Sequence, residues 1–159
     1  MSRSYWRKSE LGAKSVYIDS NIFISSLIYE RSERAMNSKR VLASVEKGEV
    51  AAYTSTLTWG EVVWVVRRVL GRADSVQAGA KLADYPNLRF VSTSEEIIRS
   101  AQRLLSEYQL APRDAIHVAS ALSKPVDALI SDDSELDIVR EVRREGSHVF
   151  DPKKSKSSD

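Results

Sequence analysis

Four acidic residues, Asp19, Glu61, Asp114 and Asp133, are spaced along the chain so that each falls where a strand ends or a helix begins. Carboxylates drawn to one place repel, and unpaired they raise one another's pKa. A hard divalent cation such as Mg²⁺ or Mn²⁺ resolves that conflict. It prefers oxygen ligands and keeps several waters when few carboxylates hold it. A site of that kind activates water, positions a phosphoryl group and stabilises a leaving oxygen. No other constellation competes: the sequence has no G-x-x-x-x-G-K-[ST] loop, no H-E-x-x-H and no G-x-S-x-G.

Taken singly, each acid also has a plainer role. Asp19 suits the cap of a helix beginning at Asn21. Glu61 suits the partner of Thr58 in a T-x-x-E capping box. Asp114 suits the positive end of a helix, and Asp133, within Asp132-Asp133-Ser134-Glu135, suits a cap followed by acids. A shared site requires that the elements carrying them meet at one edge.

Those elements are legible. Short apolar runs at Ser15–Asp19, Val50–Ser55, Leu88–Ser92 and Ala128–Asp132 read as buried strands, with His148–Phe150 as a short last one. Residues 95–108 place Ile97, Ile98, Ala101, Leu104, Leu105 and Tyr108 on one helical face. Pro112 opens another helix, with Ala115, Ile116, Val118, Ala119 and Leu122 on its apolar side. Residues 61–70 read as a helix started by Thr58 and Glu61. Strands alternating with helices imply right-handed crossovers and a three-layer α/β/α sandwich around a mostly parallel sheet of four to five strands. Ligands bind beyond the carboxyl ends of such strands, and all four acids fall at that edge.

With 159 residues, the chain is long enough for one self-sufficient core, and zero cysteines exclude disulfides and thiolate metal sites. We expect residues 1–14 to be a flexible extension, 15–151 the folded domain and 152–159 a disordered basic tail. No apolar run is long enough to span a bilayer and residues 1–14 lack the apolar core of a secretory signal, so a cytoplasmic protein is expected. Net charge is +2, from 24 Lys and Arg against 22 Asp and Glu, which permits a nucleic-acid substrate without demanding one.

Four blocks in order resemble the PIN-domain nucleases, most closely the VapC-like toxins of toxin–antitoxin pairs. They are Val16-Tyr17-Ile18-Asp19-Ser20-Asn21, the run Thr54 to Val62 that contains Glu61, Pro112-Arg113-Asp114-Ala115-Ile116-His117, and Leu129-Ile130-Ser131-Asp132-Asp133-Ser134-Glu135-Leu136. The last block departs from the family's T-x-D-x-D-F pattern: Ser131 stands for Thr, Glu135 for Asp and Leu136 for Phe. Asp133 takes the T-x-D acid position. The resemblance implies a Mg²⁺- or Mn²⁺-dependent endoribonuclease, a homodimer and a small antitoxin partner. Asp19, Asp114 and Asp133 would hold the ion, and Glu61 would do so directly or through water. Ser20, Asn21, Ser131, Asp132 and Glu135 would be auxiliaries. Two alternatives stay open: an RNA-processing nuclease that is not a toxin, and a non-catalytic module of the same fold. A phosphotransferase using Asp19 as nucleophile would want an acid where Asn21 stands.

His117 shares a helix face with Asp114 at i+3 and reads as a packing or hydrogen-bonding residue behind the site rather than a general base. Arg113 reads as a carboxylate partner or a phosphate contact. Trp59 and Trp64 read as core, His148 as structural, and Arg31, Arg34, Lys39 and Arg40 as a solvated face.

Overall fold

The structure is a computed structural model that describes residues 13–154. The tail beyond 154 and most of the N-terminal extension lie outside the described residues. Five parallel strands form one sheet: β1 (Ser15–Ile18), β2 (Ala51–Ser55), β3 (Leu88–Val91), β4 (Ala128–Ile130) and β5 (Arg144–Glu145), in the order β3-β2-β1-β4-β5. Six helices cover it: α1 (Ser20–Ile28), α2 (Glu33–Glu46), α3 (Thr56–Leu70), α4 (Arg72–Ala83), α5 (Glu95–Glu107) and α6 (Pro112–Leu122). No helix among the described residues is long and apolar enough to cross a membrane.

Strand alternation builds two cores. Val16, Ile18, Ala52, Ala128 and Ile130 face α1 to α4, whereas Tyr17, Leu129 and Val91 face α5 and α6. Serines start three of the six helices: Ser32, Ser55 and Ser94 accept from the backbone N–H groups of Ala35, Leu57 and Ile97. α6 has no side-chain cap and relies on Pro112 at its start.

Three local expectations are corrected. The last strand is Arg144–Glu145 rather than His148–Phe150. It is a charged edge strand held by backbone pairing to β4 (Leu129 N to Arg143 O, 2.8 Å; Ser131 N to Glu145 O, 3.0 Å), which a hydropathy pattern does not reveal. α3 starts at Thr56, not near Thr58, because Ser55 caps it. The Thr58 hydroxyl instead pairs with Thr54 at 2.7 Å, so Glu61 belongs to no capping box. Helix α4, absent from the sequence expectations, has no strong apolar period, since its buried face is Ser75, Ala78, Gly79 and Leu82. Lys14, counted with the extension in the sequence reading, is 2% exposed and donates to Glu145 at 2.7 Å.

The small face of α4 seats α3. A Cβ on Gly79 would stand 2.9 Å from Val63 Cγ2 and 3.1 Å from Trp59 Nε1, which itself donates to the Gly79 carbonyl at 3.2 Å. Valine is stiff at χ1 and Trp59 is tethered, so neither gives way easily. Gly79→Ala should therefore destabilise the protein by about 1 kcal/mol net of alanine's better helix propensity. A urea melt in which the variant is as stable as the parent would refute this packing.

Candidate functional site

β1 and β4 are adjacent, and the chain leaves β1 toward β2 on one side while β4 and β5 extend the sheet on the other. The carboxyl ends of these two strands flank the switch in strand order, where open α/β sheets bind ligands. Asp19 follows β1 and caps α1, and its Oδ1 accepts from Ser20 N at 2.7 Å. Its Oδ2 accepts from Ser131 Oγ at 2.7 Å and from Asn21 Nδ2 at 3.2 Å. Ser131, buried just after β4, also accepts from Asn21 Nδ2 at 2.9 Å and from Asp133 N at 3.1 Å. One hydroxyl thus ties the loop after β4 to the carboxylate after β1.

Asp133 caps the 3-10 turn Ser134–Ile138 through Glu135 N at 3.0 Å. Asp114 lies in the first turn of α6. Its carboxyl is pushed up to about 6 by burial first, then by the charges of Asp19 and Asp133; His117 opposes the rise and Glu61 adds to it. Asp19, Asp133 and Glu61 thus all lie close enough to Asp114 to act on its charge.

Glu61 is held from behind. His117, 1% exposed, places Nε2 2.5 Å from Glu61 Oε1 and 3.6 Å from Asp19 Oδ1. A carboxylate only accepts, so Nε2 carries the proton. Nδ1 lies 2.7 Å from Tyr17 OH, which in turn accepts from Ser55 N at 3.0 Å. Burial and the Asp19 charge raise the Tyr17 pKa far above the ordinary phenol value, so its O–H stays available as a donor. Burial disfavours the charged imidazole, but the Glu61 hydrogen bond and the Asp19, Glu61 and Asp114 charges outweigh it and raise the His117 pKa. The chain from Ser55 through Tyr17 and His117 to Glu61 crosses from β2 to α6 and back to α3. His117 takes the supporting place expected of it. Tyr17 was hidden as an ordinary strand residue, although a buried phenol needs a hydrogen-bond partner, and that was the available signal.

The auxiliaries divide. Ser20, Asn21 and Ser131 gather around Asp19. The Asp132 carboxylate instead accepts from Ser147 N at 2.7 Å and Ser147 Oγ at 2.9 Å, and stands 3.3 Å from Arg34 Nε. Glu135 is exposed and contributes its backbone N–H to Asp133. Arg113 is 63% exposed in its side chain and lies 3.8 Å from Glu61 Oε2. Trp59 and Trp64 are not core: they are 46% and 53% exposed, because α3 buries Thr58, Val62 and Val66 instead.

The donor set is all oxygen, with a buried histidine behind it, which fits a hard divalent cation rather than a soft one. Among the described residues, no three Asp, Glu or His side chains already enclose an ion position. Glu61 is bonded to His117, and Asp133 to the backbone of the 3-10 turn. Burial, and after it the charges of Asp19 and Asp133, leaves Asp114 the member of the cluster least inclined to ionise in the absence of a cation.

The family model described as PIN domain matches residues 16–142. No curated relative matches the chain in sequence. Among solved structures, VapC20 of Mycobacterium tuberculosis, a sarcin–ricin loop cleaving toxin, is similar with TM-score 0.64 and 19% identity, over 77% of this chain and 93% of that one. DNA-bound VapBC from Salmonella typhimurium gives TM-score 0.65 and 13% identity, over 84% and 98% of the two chains. FitAcB from Neisseria gonorrhoeae gives TM-score 0.64 and 15% identity, over 85% and 99%. At these identities the likeness is one of fold.

Proposed function

The chain belongs to the PIN domain family, and from that premise we propose that it is a Mg²⁺- or Mn²⁺-dependent endoribonuclease acting as the toxin of a toxin–antitoxin pair. The observation that carries the nuclease reading is the placing of Asp19, Glu61, Asp114 and Asp133 at the switch in strand order, where Asp19, Glu61 and Asp133 all act on the charge of the half-buried Asp114. Asp19, Asp114 and Asp133 would hold the cation, with Glu61 as a further direct or water-mediated ligand. A bound cation supplies activation of water and charge stabilisation at the phosphate.

The protein's own residues prepare that site. Ser20 N, Asn21 and Ser131 donate to Asp19, which fixes both carboxylate oxygens. His117 holds Glu61 on the side away from solvent. Arg113 is placed at the rim, where a guanidinium suits a phosphate oxygen. The similar structures include toxin–antitoxin complexes such as the one from Klebsiella pneumoniae, which supports the toxin assignment and a small protein antitoxin as partner. We place the protein in the cytoplasm, as a homodimer.

The test is cleavage of labelled cellular RNAs by purified protein with Mn²⁺, with Mg²⁺ or with EDTA, beside Asp19→Asn. Cleavage is expected only with metal and only in the parent. An undiminished Asp19→Asn, or activity that survives EDTA, would overturn the metal site. Growth arrest on expression, relieved by co-expressing the neighbouring reading frame, is expected of a toxin; unimpaired growth with active enzyme would move the protein to RNA processing.

A further inference from the structure

Helix α3 carries a stripe that the carboxylate cluster does not use up. Leu57, Gly60, Glu61, Trp64 and Arg68 follow i, i+3, i+4, i+7 and i+11 spacing and lie on one face. The stripe starts beside the acids, at Glu61, and runs outward. Leu57, Gly60, Glu61 and Trp64, with Arg113 from α6, line a cavity of about 280 Å³. Whole-ligand sites begin at about 300 Å³, so this one suits a single flat group.

Two residues in it have no structural explanation in the fold. Trp64 is 53% exposed on a helix that buries Thr58, Val62 and Val66 on another face. Gly60 sits inside the helix, where glycine costs stability, yet a Cβ there would meet nothing within 4 Å. No neighbour requires the glycine, and its effect is to leave the cavity open. Cations stand close by: the Arg68 guanidinium carbon lies 4.8 Å from the Trp64 ring centroid, and Arg113, in the cavity lining, lies 3.8 Å from Glu61 Oε2. An exposed indole, an open floor and nearby guanidinium groups beside a phosphate-directed site match how single-stranded nucleic acid is held, by stacking on aromatics and pairing along the backbone.

We propose that this cavity is a stacking subsite for one unpaired nucleobase next to the scissile phosphate. Trp64 is the platform, and Arg68 and Arg113 contact the adjoining phosphates. The proposal rests on the ribonuclease reading and adds which residues hold an unpaired base beside the cleavage point. Bases inside a duplex have both faces covered, so only an unpaired base can enter. Stacking is tolerant of base identity, so the subsite selects for strandedness rather than sequence.

The experiment measures anisotropy of a fluorescein-labelled single-stranded RNA of mixed sequence, and of the same strand annealed to its complement. Both are titrated with Asp19→Asn protein, alone and combined with Trp64→Ala, Trp64→Phe or Gly60→Leu. Trp64→Ala is expected to weaken single-strand binding by about 5- to 100-fold. Phe should restore most of it, and Gly60→Leu, which has room and favours helix, should weaken it by filling the cavity. Duplex binding should not move. Equal single-strand binding by Trp64→Ala overturns the subsite, as does an equal loss for duplex. A change of oligomeric state by light scattering without loss of RNA binding also overturns it, and would make the face a contact between copies of the chain. Cleavage by otherwise wild-type protein separates the two readings. A parent that cuts no RNA with metal sinks the nuclease itself, whereas a parent that cuts and a Trp64→Ala that cuts single strands with unchanged kcat/KM sinks only the subsite.

Discussion

Asp114→Asn should abolish RNA cleavage and at the same time make the metal-free protein more stable at about pH 7. On the proposed metal site, the first effect follows from removing a charged ligand: metal polarisation contributes several kcal/mol to such reactions, so a loss of about 10³-fold or more is expected. The second follows from proton linkage. Asp114 is raised to about 6 by burial and by Asp19 and Asp133, while an unfolded aspartate titrates near about 4. Between those values the folded state binds more protons than the unfolded one, so stability falls as pH rises through that window. Below it the contribution is fully present; above about pH 6 it has been lost. The group is half buried, so solvent screening reduces the effect to about 1–2 kcal/mol. Asparagine has nearly the same shape and never ionises, so it escapes the loss. Melts in EDTA should show the variant gaining at about pH 7 and gaining little at about pH 4. A gain equal at both values would mean that charge crowding is not its source, and wild-type cleavage by the variant would remove Asp114 from the site.

His117→Ala should damage both fold and activity. The ring is buried, so its removal leaves a void and strips partners from Tyr17 OH and the Glu61 carboxylate. Loss of a buried polar partner costs about 1–3 kcal/mol and the void adds to it, so a total of about 2–4 kcal/mol is expected. Residues that orient metal ligands typically matter by about 10- to 100-fold, and a reduction in kcat/KM of that size should appear even where the variant is fully folded. His117→Gln retains an N–H directed at Glu61 and should recover part of the activity. Tyr17→Phe should lower stability through the unpaired Ser55 N–H while reducing activity less. Unlike a purely structural defect, the loss in His117→Ala should come with a higher Mn²⁺ requirement, since Glu61 is no longer held. An Ala variant with parental kcat/KM and Mn²⁺ dependence would show that Glu61 needs no such support.

How far the molecule could be read from its residues depended on the range of the interaction involved. Alternation in Val16-Tyr17-Ile18 and the period of residues 95–108 are local, and they yielded the strands, two of the helices and the layered architecture. Helix α4 escaped because small residues bury a face without a strong apolar signal. The edge strand Arg144–Glu145 escaped because backbone pairing, not hydropathy, makes it a strand. Trp64 was misread because the pattern around residues 61–70 is apolar nearly all round, and only the packing of α4 and the sheet decides which side is covered.

By itself, the sequence determined the acids, their order, and their places after strands and at helix starts; those follow from side-chain type and near-neighbour geometry. Only the tertiary structure decided that Ser131 bridges Asp19 to Asp133 and that Asp132 turns to Ser147. It alone decided that His117, fixed by Tyr17, holds Glu61. These contacts join residues far apart in the chain. A hydrogen bond depends on distances of a few tenths of an ångström, and those are set by how the sheet and helices pack, not by any spacing along the chain.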